Sequence, residues 1–294
     1  MRCWHDDDGS GDCCLLFKSS NTIRTNLPAA LITEGWHPIH VNHGHRNLIT
    51  EEIPEWWKLA SIPQNKRGDE WFGQHGQDVA IAKFFNFKCN SFFVDLAAND
   101  AVWASNTFAL ESNFDWKGIC IEPNPFYWFR LSFRKCHAVG AFVGEKNLDE
   151  VNVKLGFSKV TGPYSGIVGD KFDSKSVKND ESQRRYTASL KHIFEVFHAP
   201  KVIDYISLDV EGAEDFIMTG FPFDEYQFLT MSVERPKEEL RKLLEKNGMR
   251  HVMDFKRGDT LWAHESVYKK GKKLLDKNPE DVSAHKVKDL PTWA

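Results

Sequence analysis

The chain has no apolar run approaching the roughly 20 residues that cross a bilayer, which excludes a membrane-spanning helix on sequence grounds. It has no surplus of positive charge either. With 38 Lys and Arg against 42 Asp and Glu, the formal charge is −4, unlike the basic face of most nucleic-acid-binding domains. The N-terminus carries acids at Asp6, Asp7 and Asp8 and no apolar segment behind a basic start, so no secretory signal is expected. The Gly-x-Gly-x-x-Gly fingerprint of nicotinamide-binding folds is missing, which weighs against an oxidoreductase of that type. The cysteines, Cys3, Cys13, Cys14, Cys89, Cys120 and Cys136, show no repeated CxxC spacing. Cys120 lies inside an apolar strand pattern and Cys136 beside another, where free cysteine behaves as a small hydrophobe. The expectation is a reduced, cytoplasmic protein with free thiols.

What is present is an ordinary soluble composition, 41% apolar and 27% charged over 294 residues, enough for one large α/β domain with decorations or two modest ones. The informative pattern is a set of apolar strands that each end in an acid. Phe92 to Leu96 contains Asp95 and runs into a turn of small and polar residues, Ala97 to Asp100. Gly118 to Ile121 ends at Glu122, and Val202 to Leu208 ends at Asp209, with Glu211 just beyond. One such strand says little, because strands often end in Asp for turn reasons. An ordered set is what a doubly wound sheet needs to hold a nucleoside-like ligand at its switch point.

Residues 1 to 70 show no sustained period and are expected to form an irregular extension, packed through Trp36, Trp56 and Trp57. Apolar spacing over Asp78 to Phe85 predicts a helix before the first strand. The Gly-rich and polar stretch from Lys154 to Arg185 predicts a short hairpin followed by a mobile, substrate-facing loop. Leu190, Ile193, Phe194 and Phe197 fall on one helical face, stopped by Pro200. A further strand, Phe228 to Val233, precedes Glu234 and a helix opening at Pro236 and ending near Gly248. Val252 to Phe255 and Thr260 to His264 read as a closing strand pair around the turn Lys256 to Asp259. The Lys-rich tail, 266–294, is expected to be a peripheral helix or a loose end. The core domain is thus placed at 71–265.

Three blocks carry a family resemblance: FFVDLAAND followed by Ser105-Asn106-Thr107, WKGICIEPNP from Trp116, and IDYISLDVEGAE from Ile203, with FPFDEY and VERP behind it. Together they resemble the FkbM-type methyltransferases, over roughly residues 72–264. The resemblance implies a Rossmann-like fold, α/β, with a seven-stranded, mostly parallel sheet closed by an antiparallel hairpin and helices on both faces. It also implies S-adenosylmethionine-dependent methyl transfer to a hydroxyl oxygen of a small-molecule or carbohydrate-type acceptor. A cofactor site is then expected at Asp95, Ala97, Asn99, Asp100, Glu122 and Asp209, with Asp209 and Glu211 nearest the chemistry. Glu122 is the expected ribose ligand, while Asp95 either anchors the turn or reaches the cofactor's amino group. No metal is expected.

The family has glycines where this chain has Ala97 and Ala101, and a left-handed backbone at either would strain an alanine by about 1–2 kcal/mol. A catalytically silent binding or trafficking protein that keeps the fold is therefore the alternative. The bland readings of the other candidates are loop histidines at His37, His40, His43 and His45, a structural turn at Asn124 to Tyr127, and a structural His264.

Overall fold

In the computed structural model the described residues are 39–41, by backbone only, and 71–132, 134–156, 166–168 and 182–277. The expected packing of Trp36, Trp56 and Trp57, three of the four clustered histidines (His37, His43 and His45), most of the 154–185 loop and the end of the Lys-rich tail lie outside them.

An eight-stranded sheet forms the centre, in the order β1-β4-β3-β2-β9-β10-β12-β11. Its strands are β1 (Ile39–Val41), β2 (Phe92–Leu96), β3 (Lys117–Ile121), β4 (His137–Gly140), β9 (Val202–Leu208), β10 (Gln227–Val233), β11 (Met249–Asp254) and β12 (Thr260–His264). From β4 through β10 all pairings are parallel. β12 runs antiparallel to both β10 and β11, and β1 antiparallel to β4. The expected count was seven. The added strand is β1, a three-residue piece of the N-terminal extension that caps an otherwise open parallel edge.

The helices are α1 (Gln77–Phe84), α2 (Phe108–Phe114), α3 (Pro125–Leu131), α4 (Leu190–Val196), α5 (Glu214–Thr219), α6 (Glu238–Lys246) and α7 (Glu265–Asp276). They bury both faces of the sheet, so central strands must be apolar on both sides. Phe93 and Cys120 face one core cluster with Phe84, Phe108 and Trp116. Val94, Leu96, Ile119 and Ile121 face the other, with Ile193, Phe194, Ile217 and Leu240. Helix α7, read from sequence as peripheral, packs on α1: Leu275 joins the first cluster, and a Cβ at Gly271 would overlap the Phe84 ring.

A second, four-stranded sheet, β5-β8-β6-β7, stands beside the first. It is built from β5 (Phe142–Gly144), β6 (Glu150–Lys154), β7 (Gly166–Ile167) and β8 (Gln183–Ser189). Sequence reading expected only a hairpin here. β6 and β8 are half-exposed and rich in charge, so neither shows an apolar period. They are held by their ladder and by a small cluster of Phe142, Val153, Leu155 and Ile167.

The cysteine expectation is overturned at one pair. Cys120 and Cys136 form a disulfide across 16 residues, with their Cα atoms 5.9 Å apart. The reason is register: Cys120 pairs with Ala138 across the β3–β4 ladder, so Cys136 lies diagonally opposite on the same buried face. Cys89 lies outside this pair, with its thiol 4.0 Å from the Phe87 carbonyl oxygen. A closed loop of this size is associated with about 3 kcal/mol of stability. Urea unfolding of the Cys120→Ala/Cys136→Ala double variant should show a loss of about that size, and unreduced digests should contain the two peptides linked.

Candidate active site

The site forms where the parallel strands end. A cavity of about 790 Å³ opens over the carboxyl ends of β2, β3, β9 and β10, and Asp95, Ala97, Asn99, Glu122, Asp209 and Glu211 all line it. Asp100 does not. Its Oδ1 accepts from the backbone N–H groups of Val102 (3.0 Å) and Trp103 (2.8 Å), and its Oδ2 pairs with Arg130, so it shapes the turn from behind.

Asp95 is buried at the end of β2 and accepts a hydrogen bond from Thr107 Oγ1 at 2.5 Å. Burial raises its pKa, and the Thr107 bond and the nearby Arg134 guanidinium pull it back down. Thr107 begins α2, and Arg134 reaches the same hydroxyl at 3.0 Å. Arg134 also pairs with buried Glu111 at 3.2 Å and donates to the Ala101 carbonyl and Ser105 Oγ. The 101–107 loop is therefore held from inside by one cation, which sequence reading missed altogether.

Glu122 sits at the carboxyl end of β3, 4% exposed. Its Oε2 accepts from the Asn99 N–H at 2.8 Å and its Oε1 from the Asn124 N–H at 2.7 Å. One carboxylate thereby ties the turn after β2 to the turn after β3. Burial lifts its pKa to about 7, against the two backbone bonds. Each oxygen keeps a second lone pair for a donor in the cavity. Asn124 caps α3 through its side chain, accepting from the Phe126 N–H at 3.0 Å, so Asn124 to Tyr127 is a structural turn. His264 likewise caps α7 by accepting from the Ser266 N–H.

The two alanines part company. Ala97 has φ 60° and Asn99 φ 52°, both left-handed, whereas Ala101 is absent from the left-handed set and fully buried. Only Ala97 carries the strain that a glycine would avoid. Ala97→Gly should stabilise the fold by about 0.5–1 kcal/mol, allowing for glycine's greater chain entropy. Thermal melting of that variant is the check, and Ala101→Gly should destabilise by opening a small void.

At the far end β9 and β10 pair Leu208 with Val233, which sets Asp209 and Glu234 side by side beyond the ladder. Asp209, Glu211 and Glu234 bring carboxylate oxygens within 4.8 Å of one another, a spacing a divalent cation can bridge. Here Arg235 supplies countercharge, with Nη2 2.5 Å from Glu234 Oε1 and 3.7 Å from Glu211 Oε2. Burial drives the Asp209 pKa well upward, and a hydrogen bond and charge from Glu234 add to it, followed by Glu211 and Asp259. Glu211 stands at φ 54° before Gly212 at φ 91°, and the buried Glu214 accepts from the N–H groups of Val210 (3.1 Å) and Gly212 (3.2 Å) to fix this loop. Glu234 and Asp259 were not among the expected site residues. The signal was available for Glu234, an acid one residue beyond an apolar strand like the others.

Residues 95–251 match the family described as Methyltransferase FkbM domain. A search of curated proteins gave no match. Among solved structures, the precorrin-6y C5,15-methyltransferase of Geobacter metallireducens GS-15 is similar at 11% identity and a TM-score of 0.34, over 63% of this chain and 84% of that one. The family match spans more than half of the chain and contains the turn after β2, Glu122 and the acids beyond β9 and β10. This chain belongs to the FkbM methyltransferase domain family.

Proposed function

We propose that the protein transfers a methyl group from S-adenosylmethionine to a hydroxyl oxygen of a small-molecule or carbohydrate-type acceptor. The observation that carries this reading is Glu122, a buried carboxylate at the end of β3 with one lone pair per oxygen left toward the cavity. A vicinal diol is the matching donor pair. A second feature fits the amino-acid end of the cofactor: Asn106 Oδ1 is buried, takes no hydrogen bond, and belongs to a cavity-lining residue that Ser207 holds at 3.0 Å through Nδ2. An ammonium group would satisfy it.

When bound, S-adenosylmethionine supplies a methyl group on a sulfonium centre. Glu122 and the Ala97 to Asn99 turn would hold its nucleoside side, and Asp95 and Asn106 its amino-acid side. Asp209, Glu211 and Glu234 then orient the acceptor hydroxyl and take up its proton.

The silent-protein reading rested on two alanines and now rests on Ala97 alone, whose turn keeps its hydrogen bond from the Ala98 N–H to the Ile121 carbonyl at 3.0 Å. The Cys120–Cys136 bond favours an oxidising compartment over the cytoplasmic expectation. Calorimetric titration with S-adenosylmethionine, S-adenosylhomocysteine and NAD tests the cofactor. Binding of the first two and not the third is expected, and a folded protein that binds neither S-adenosyl compound would overturn the reading.

A further inference from the structure

The acceptor end of the cavity has a rim of opposite character to its floor. Three segments build that rim. The first is Gln74-His75, carried by the Gly73 bridge to Ala104 and pinned by buried Asp78, which accepts from the N–H groups of Phe72 (2.6 Å) and Gly73 (2.9 Å). The second is Trp103, 48% exposed although it lines the cavity. The third is the Lys256-Arg257 turn between β11 and β12, closed by the Phe255 N–H to the Asp259 carbonyl at 2.8 Å. Arg257 lines the cavity and, among the described residues, makes no ion pair.

The floor is acidic, but it is answered locally. Arg235 pairs there with both Glu234 and Glu211. Arg257 and Lys256 take no part in that pairing, and after burial their charges are the next causes that lower the His75 pKa. A neutral sugar needs no such charge. An aromatic plane and an arginine without an ion pair, lining one cavity with carboxylates suited to a hydroxyl, suit a polyol with an acidic substituent.

We propose that the methyl acceptor is an anionic carbohydrate-sized polyol, its hydroxyl directed to the carboxylate floor, its ring against Trp103 and its acidic group on Arg257 with Lys256 at the rim. This assignment rests on the methyl-transfer reading.

Affinities for glucose 6-phosphate, glucuronate and glucose, measured by calorimetry on the full chain with and without S-adenosylhomocysteine, test it. The two charged sugars should bind at least about tenfold more tightly than glucose, 1.4 kcal/mol. Arg257→Gln should reduce that preference to less than about threefold, and raising salt from low to physiological strength should weaken the charged ligands alone. Equal affinity for all three, no binding of any at millimolar concentration, or a preference untouched by both Arg257→Gln and salt would overturn the proposal. The salt series on the unaltered protein decides the matter should the variant fail to fold. Titration with S-adenosylhomocysteine alone separates the two readings: its failure removes the cofactor assignment, while the sugar series in the free protein still judges the rim.

Discussion

Replacing Arg134 with methionine is expected to destabilise the protein by about 3–5 kcal/mol, the range for breaking a buried ion pair from one side. Both partners are nearly sealed from solvent, with side-chain exposures of 1% for Arg134 and 4% for Glu111. Removing the guanidinium leaves the Glu111 carboxylate buried with only the N–H groups of Lys135 (2.8 Å) and Cys136 (3.1 Å) to answer its charge. It also frees Ser105, Thr107 and the Ala101 carbonyl, and leaves Phe93 and Phe108 without the cation lying 5.8 Å and 5.5 Å from their ring centres. Adding Glu111→Gln should recover part of the loss, because the amide keeps an acceptor for one of those N–H groups and removes the stranded charge. Urea denaturation of the single and double variants measures both. A single variant within about 1 kcal/mol of the parent would show that the loop after β2 does not depend on this cation.

Arg134 also marks where sequence reading stopped. The strand-end acids were legible because each obeys two local rules at once: an apolar run that must be buried and a carboxylate that cannot be, except where something in the crevice answers it. On those grounds Asp95, Glu122, Asp209 and Glu211 stand out in the sequence, and all four line the cavity. The helices at 190–196 and 238–246 are legible from their apolar stripes and their Pro and Gly punctuation, and the one at 77–84 from apolar spacing over Asp78 to Phe85.

What was not legible depends on distance in space. An arginine 23 residues from its glutamate has no pattern to announce it. Cys120 and Cys136 meet only because β3 and β4 are adjacent and in one register. The small second sheet joins β5 to β8 across a segment with no strand-like period. Ala97 and Ala101 look alike in sequence and differ only in backbone angle, which the turn decides. Asp100 was drawn into the predicted site by its neighbours, yet its carboxylate is spent on Val102, Trp103 and Arg130.

Glu122→Gln is expected to weaken S-adenosylhomocysteine binding by about 10- to 150-fold, the equivalent of about 1.5–3 kcal/mol for hydrogen bonds to a charged group. The carboxylate has two jobs, and glutamine cannot do both. It accepts one backbone N–H on each oxygen, and the proposed diol needs an acceptor at each as well. The sign of the pH response gives a sharper check. Burial raises the folded-state pKa from 4.5 to about 7. The folded protein therefore binds the extra proton between these values. Glu122 contributes its full share of stability below about pH 4.5 and loses it as pH rises through about 7, on the order of 3 kcal/mol in all.

Ligand affinity should run the other way. A diol donates to the ionised form, so S-adenosylhomocysteine should bind more tightly at pH 8 than at pH 6 and level off above. Glu214, whose pKa is also lifted to about 7 by burial, and Asp209, whose pKa burial raises as well, titrate on neighbouring elements, so the raw pH profile mixes their effects. The difference between the parent and Glu122→Gln isolates one residue. Its expected form is a stability slope and an affinity slope of opposite sign, both flattened in the variant. Slopes that survive unchanged in folded Glu122→Gln protein would move the nucleoside away from the end of β3.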